Sequence, residues 1–273
     1  MPEPENFDFR YISYGAGVQS TALLVLSCLG LRGVPKADAA CFSDTGDEPA
    51  FVYKYLEIIK PWAKSHGIEV HTCSKGHLSN DLIETDRRFA SLPVWTRGAD
   101  GRAAPLRRQC TYEYKIAPLE QWVRKQLGYI PRQRMKHKVQ TMIGISLDEV
   151  SRCKPSRTKW VTNSYPLIDA HIHRPLCMEI IADAGLPPPS KSSCVFCPYH
   201  SDDFYRWLKE EHPEDFEKAC LFDEAVRSKE GRYRGSVDSD PYIHRSLMPL
   251  REVDFTDNQL SLWTEECEGY CGV

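Results

Sequence analysis

The chain has 273 residues, 41% hydrophobic and 27% charged, enough to bury a sizeable core in one large domain or one plus an appendage. The opening MPEPENFDFR has neither the basic nor the apolar region of a signal peptide, and no run approaches the about 18 apolar residues of a membrane span, so a soluble, cytoplasmic protein without a membrane partner is expected. Net charge is −3, yet eleven basic residues face three acidic ones between Arg97 and Lys138, a local +8 that leaves −11 elsewhere. That field localises an anionic partner, a nucleic acid or an anionic substrate, although a solvated helix face and loop would have the same composition.

In chain order, FRYISY predicts a strand and STALLVLSCLGL a helix ending near Gly30 or Gly33. ADAACFSD predicts a second strand, PAFVYKYLEIIKPWAKSHG an amphipathic helix closed by Gly67, and IEVHTC a third strand. This βαβαβ order predicts an α/β fold, a parallel twisted sheet with helices on both faces. Residues 74–110 are polar and glycine-bearing and read as a long loop or lid. IAPLEQWVRKQLG is a helix with a glycine stop, and VQTMIGIS a further strand. From about Pro175 come a helix (LCMEIIADAG), a PPP turn, a cysteine pair and a charged helix (DDFYRWLKEEH), then a turn-rich tail from Gly231. The expected division is a nucleotide-binding α/β domain over 1–170 and a mainly helical, cysteine-bearing portion over 171–273 packed against it.

The turn in YGAGVQSTALLVL lies between the first strand and its helix. Gly15 and Gly17 let the backbone bend so that amide hydrogens point at phosphate oxygens, and Ser20 and Thr21 open a helix whose N-terminus favours an anion. A glycine pair alone also serves as a plain turn, and no Gly-Lys-Ser/Thr follows, so this is not the Walker pattern.

Eleven cysteines without an export signal point away from disulfides and toward metal ligation or thiol chemistry by a few of them. SSCVFCP sets Cys194 and Cys197 at the C-x-x-C spacing that lets two thiolates share one metal, although a redox pair has the same spacing. Cys28, Cys41, Cys73, Cys153, Cys177 and Cys220 lie in apolar or helical contexts and read as packing residues.

GAGVQS (Gly15, Ala16, Gly17, Val18, Gln19, Ser20) resembles the SGGxDS loop of the PP-loop ATP pyrophosphatases, with Gly15 for the usual Ser, Ala16 in the second position and Gln19 for the usual Asp. The Gln form resembles the phosphoadenosine-phosphosulfate (PAPS) reductase-like branch. FSDTGDEP resembles that branch's strand-end DTG signature at Asp44, Thr45 and Gly46, where a ligand of an open sheet binds. IGISLDEVSR resembles its Gly-x-x-x-x-Glu-x-x-Arg stretch through Gly144, Glu149 and Arg152, and YPLID the segment before its cysteine pair. The resemblance covers about residues 10–200. It implies an ATP site over 15–20, bordered by Asp44–Gly46, with Mg²⁺, Arg108 and Lys115 neutralising charge.

QCTYEYKIAPLEQWV resembles the segment that begins with two adjacent cysteines in cluster-bearing adenosine-phosphosulfate reductases, but Gln109 stands for the first and only Cys110 remains. Three thiolates, Cys110, Cys194 and Cys197, would leave one iron of a [4Fe–4S] cluster open to hydrosulfide or substrate, as in the cluster-dependent tRNA-thiolating PP-loop enzymes. In overall texture the chain resembles the DNA-phosphorothioation member of the PAPS reductase-like group more closely. The resemblance therefore implies an ATP-dependent, iron–sulfur-dependent sulfurtransferase acting on tRNA or DNA. The basic stretch would hold the nucleic acid, the sulfur would come from sulfide or a cysteine desulfurase, and a homodimer is a further expected partner. One alternative is a sulfonucleotide reductase using Cys267 of the tail EECEGYCGV, with Cys271 as a resolving thiol. Another is a nucleotide-sensing or scaffold protein with a zinc site completed by His200 or another ligand.

Overall fold

The computed structural model describes residues 6–84, 92–228 and 239–256. Cys267 and Cys271 lie outside them. Five parallel strands form the main sheet: β1 (Phe9–Tyr14), β2 (Ala39–Asp44), β3 (Val70–Ser74), β6 (Val139–Ile143) and β7 (Val161–Ser164), in the order β3-β2-β1-β6-β7. The order reverses beside β1, so the loop after β1 opens at a topological switch point, where ligands of such sheets bind.

Alternation along the strands sorts side chains to two faces. Ile12, Tyr14, Ala40, Phe42, Val70 and Met142 point to one face, beneath helices α1 (Val18–Leu29), α2 (Ala50–Ser65), α5 (Pro166–Asp169) and α6 (Arg174–Asp183). Tyr11, Ala39, Cys41 and Val139 point to the other, under α4 (Ala117–Gln126) through Leu119, Trp122 and Val123. The expected α/β architecture, with a parallel sheet and helices on both faces, is present. Helix α1 ends as the sequence predicts: Gly30 takes φ +64° and its N–H returns to the Leu26 carbonyl.

A third core lies beyond the strand ends. It joins α3 (Leu78–Ile83), Leu92, Val94 and Tyr114 to Cys194–Phe196, α7 (Asp202–Glu211) and α8 (Pro213–Arg227). Segments on both sides of residue 170 thus share cores: Cys177, Ile180 and Ile181 of α6 pack with α1, whereas Leu78 and Tyr114 pack with α7 and α8.

Residues 74–110 are not simply a loop. They contain α3 and an antiparallel hairpin, β4 (Trp95–Arg97) with β5 (Ala103–Pro105), turned at Asp100-Gly101 with Gly101 at φ +80°. The hairpin docks by backbone bonds between Trp95 and Tyr242 (2.7 and 2.8 Å) and by Trp95 Nε1–H to the Pro198 carbonyl (3.1 Å). Among the described residues no helix is long and apolar enough to cross a membrane.

Candidate functional site

Tyr14 ends β1 and Val18 starts α1, so three residues make the turn. Ala16 holds φ +56°, the left-handed region where a side chain costs roughly 1–2 kcal/mol. The amides of Gly15 and Gly17 donate to Ser20 Oγ (3.3 and 3.2 Å), and Ser20 Oγ–H donates to the Gly17 carbonyl (3.1 Å). Two loop amides are thereby aimed at one oxygen, the geometry a phosphate oxygen would take.

Gly144 follows β6 and supports this loop from below. A Cβ there would stand 2.6 Å from both N and Cα of Ser20, so the position admits no side chain without displacing backbone. A Cβ on Gly17 would meet nothing within 4 Å. Gly144 is a packing requirement; Gly17 faces open space.

That space is a cleft of about 280 Å³, lined by Gly15, Gly17, Val18, Gln19 and Ser20 on one side. Lys115, Arg152, Arg174 and Lys191 bring positive charge to it. Gln19 links the loop to the segment after β6: its Nε2–H donates to Glu149 (2.9 Å), Glu149 pairs with Arg152, and Arg174 Nη1–H donates to Gln19 Oε1 (3.1 Å). Gln19 thus has a partner on each side that an Asp could not satisfy, because an Asp cannot donate.

Asp44, Thr45 and Gly46 turn away from this lining. Asp44 Oδ1 accepts from the Gly46 amide (2.8 Å) and Tyr53 O–H (2.9 Å), closing a turn in which Gly46 has φ +78° and lies against the His77 ring. Thr45 faces the cysteines instead, its Oγ1 3.1 Å from Cys194 Sγ.

Cys110, Cys194 and Cys197 line one small cavity of about 30 Å³, together with Thr45, Arg108 and Lys115. The chain reaches it by two routes. Cys194 is fixed where the Val195 amide bonds the Asp47 carbonyl (2.9 Å), and Cys197 follows through a tight turn to the Cys194 carbonyl (3.0 Å). Cys110 precedes a π-helical turn, Thr111–Ile116, that runs into α4. The i→i+5 spacing of that turn sets Cys110 and Lys115 on the same cavity wall. Tyr114 anchors it, its hydroxyl donating to Asp81 (2.6 Å) and its carbonyl accepting from Ser43 (2.8 Å).

Lys115 joins cleft and cavity, for it lines both. Its Nζ lies 3.5 Å from Glu48, whose side chain is 1% exposed and also accepts from Ser192 (3.1 Å). Burial raises the Cys194 thiol well above its ordinary pKa, the Glu48 carboxylate raises it further, and Lys115 opposes both. Ser193, 2% exposed, also lines both spaces, and its hydroxyl has no partner. The hydroxyl of Thr111, which lines the cysteine cavity, is likewise buried and unpartnered.

The cavity is lined mostly by apolar groups, Leu78, Leu92, Pro93, Phe196 and Pro198 among them. Its polar groups include the three thiols, the Ser193 and Thr111 hydroxyls, Arg108 and the Glu48-paired Lys115, a set of thiolate ligands and donors that fits an anionic iron–sulfur group. Among the described residues no three Cys, His, Asp or Glu side chains are arranged to hold a single metal ion. His200 is a packing group: its Nε2 is 2.9 Å from the Cys194 carbonyl oxygen, its ring stacks on Phe204 at 3.9 Å, and burial lowers its pKa to about 3.

Lys191, Ser192, Ser193, Arg174 and Glu48 escaped the sequence reading. The run SKSSC before the cysteine pair, small and polar with one lysine, is the local signal that places three of them.

No family model and no curated protein matches the chain. Among solved structures it is similar to the U34-tRNA thiolase NcsA from Methanococcus maripaludis with its [4Fe-4S] cluster, at 14% identity and a TM-score of 0.41 over 81% of this chain and 72% of that one. That likeness is too distant to transfer function.

Proposed function

We propose that the protein is an ATP-dependent sulfurtransferase of the PAPS reductase-like PP-loop type, which activates an oxygen on a nucleic acid and replaces it with sulfur. The observation that carries this reading is the shared wall. The three cysteines line one cavity, and that cavity shares Lys115 and Ser193 with the cleft under the glycine loop.

ATP would lie in the cleft with its phosphates against the Gly15 and Gly17 amides, Ser20 and the start of α1. The acceptor oxygen attacks the α-phosphorus, the bond to the β-phosphate oxygen breaks, and pyrophosphate leaves. Lys115, Arg152, Arg174 and Lys191 offset the negative charge that develops. A sulfide then attacks the activated carbon and AMP departs with the original oxygen, so no external oxidant or reductant is needed. Mg²⁺ carried with the nucleotide adds charge neutralisation, and an iron–sulfur group on Cys110, Cys194 and Cys197 supplies a place to hold sulfide. Arg108, which lines the cysteine cavity and lies over the Tyr199 ring at 5.4 Å, keeps positive charge beside that place.

The test is an anaerobic reaction with ATP, labelled sulfide and bulk tRNA or DNA. The expected result is one pyrophosphate and one AMP for each sulfur incorporated. Incorporation without ATP, or ADP as the product, would overturn the reading.

A further inference from the structure

A second cavity of about 280 Å³ lies on the α4 side of the sheet, and nothing in the mechanism above uses it. Its origin is topological. Helix α4 packs on that face over β2, β1 and the Val139 start of β6 through Leu119, Trp122 and Val123, and the cavity opens beside it over the later residues of β1, β6 and β7. The floor is therefore strand: Tyr11 and Ser13 from β1, Thr141 from β6, Asn163 from β7.

The loop 154–158 forms the far wall. Asn163 Nδ2–H donates to the Lys154 carbonyl (3.0 Å), Tyr165 bonds both N–H and C=O of Lys154 (2.8 and 2.6 Å), and Thr158 donates to Glu120 of α4. The cavity is thus a braced feature. Its boundaries are also informative. It shares Ser13 and Leu119 with the phosphate cleft, and Arg108 and Thr111 with the cysteine cavity. Three spaces meet pairwise around residues 108–119, so a group seated in the third is next to both others.

We infer that this cavity takes one unstacked nucleobase of a single-stranded nucleic-acid segment, the base being the acceptor; the inference rests on the nucleic-acid acceptor proposed above. The volume is near the lower end of small-ligand pockets, roughly 300–1,000 Å³, which suits one nucleoside and no duplex. A base buried in a duplex cannot present its edge to such a pocket and has to leave the stack. The lining offers what a single base uses: Tyr112, 52% exposed, as a stacking face, with the Glu120 carboxylate and the Ser13 and Asn163 side chains for its polar edge. Arg108, Lys154 and Arg157 line the same space, and cations beside a base pocket are what flanking phosphates require. Glu120 is the only acid in that lining among the described residues.

The test uses the full chain with a fluorescent twelve-nucleotide single strand, as RNA and as DNA, beside the matching duplexes. Each strand also carries one photoreactive pyrimidine for cross-linking. Single strands should bind more tightly than duplexes, and the better of the two sugars names the source. Tyr112→Ala should weaken single-strand binding roughly 5- to 150-fold. Arg157→Gln should lower the salt slope by about 0.7, one lost phosphate contact. Both residues are at the surface, and both variants should bind ATP like the parent, which shows that they fold. Cross-links should map to 108–120 or 154–163. Equal affinity for duplex, parental binding by both variants, or cross-links elsewhere would overturn the inference. Pyrophosphate release is read on the same samples, and its failure with cross-links intact counts against the sulfur-transfer reading, not against the pocket.

Discussion

The phosphate cleft and the cysteine cavity are neighbours built in opposite ways. The phosphate loop of the cleft is local: Gly15 to Ser20 form one turn, and Gly144 touches it because β6 is the parallel neighbour of β1, while the cleft's cations Lys115, Arg152, Arg174 and Lys191 come from other segments. The cavity is assembled from afar, with Cys110 arriving on a π-turn, Cys194 and Cys197 on a loop after α6, and Thr45 on the end of β2. Damage where the loop packs on Gly144 should therefore disturb the fold at the centre of the sheet, whereas a lost cysteine should remove one function and leave the rest standing.

Gly144→Ala is expected to have the largest effect. Its Cβ would collide with the Ser20 backbone, so nucleotide binding should be lost and stability reduced by about 1–3 kcal/mol, measured by calorimetric titration and thermal melting. Gly17→Val sharpens the contrast: its side chain enters open cleft, so ATP binding should fall while the melting temperature holds. A Gly17→Val protein that binds ATP like the parent would reduce the loop to a structural turn.

Next in size is Lys115→Gln, which strikes both sites at once. Removing the ammonium takes away the cation beside the buried Glu48 carboxylate, a cost kept below that of Gly144→Ala because Lys115 is 15% exposed and Ser192 still donates to Glu48. Both pyrophosphate release and iron retention should drop. Loss of only one would mean that the two sites are not coupled through this residue. The smallest effect is expected for Cys267→Ser, which should leave most sulfur transfer intact; abolished activity with the iron content preserved would instead favour a thiol nucleophile in the tail.

Much of the sheet was readable because β1, β2 and β6 carry buried apolar positions, and the more polar β3 follows a clear amphipathic helix. Strand β7, VTNS, is short and polar at the sheet edge, so alternation alone could not mark it. The hairpin at 95–105 carried an Asp-Gly turn signal that a glycine-bearing polar stretch obscured. Within the site, the glycine loop and the Cys194–Cys197 pair were legible from spacing and Cys110 only from the family resemblance; all three cysteines line one cavity. The inward turn of Asp44 was not, because it depends on Tyr53 one helical turn into α2 and on Gly46 meeting His77. Nor could spacing reveal the π-turn that sets Cys110 beside Lys115, since i+5 on an ordinary helix would point elsewhere.

The central claim, that three thiols from distant segments hold an iron–sulfur group beside an ATP cleft, is tested most directly by metal analysis of protein prepared without oxygen. The account predicts about four iron and four sulfide per chain, the content of a cubane cluster, lost in Cys110→Ala, Cys194→Ala and Cys197→Ala while ATP affinity stays within about twofold. Stoichiometric zinc without sulfide, or iron that survives loss of any one of those cysteines, would contradict it.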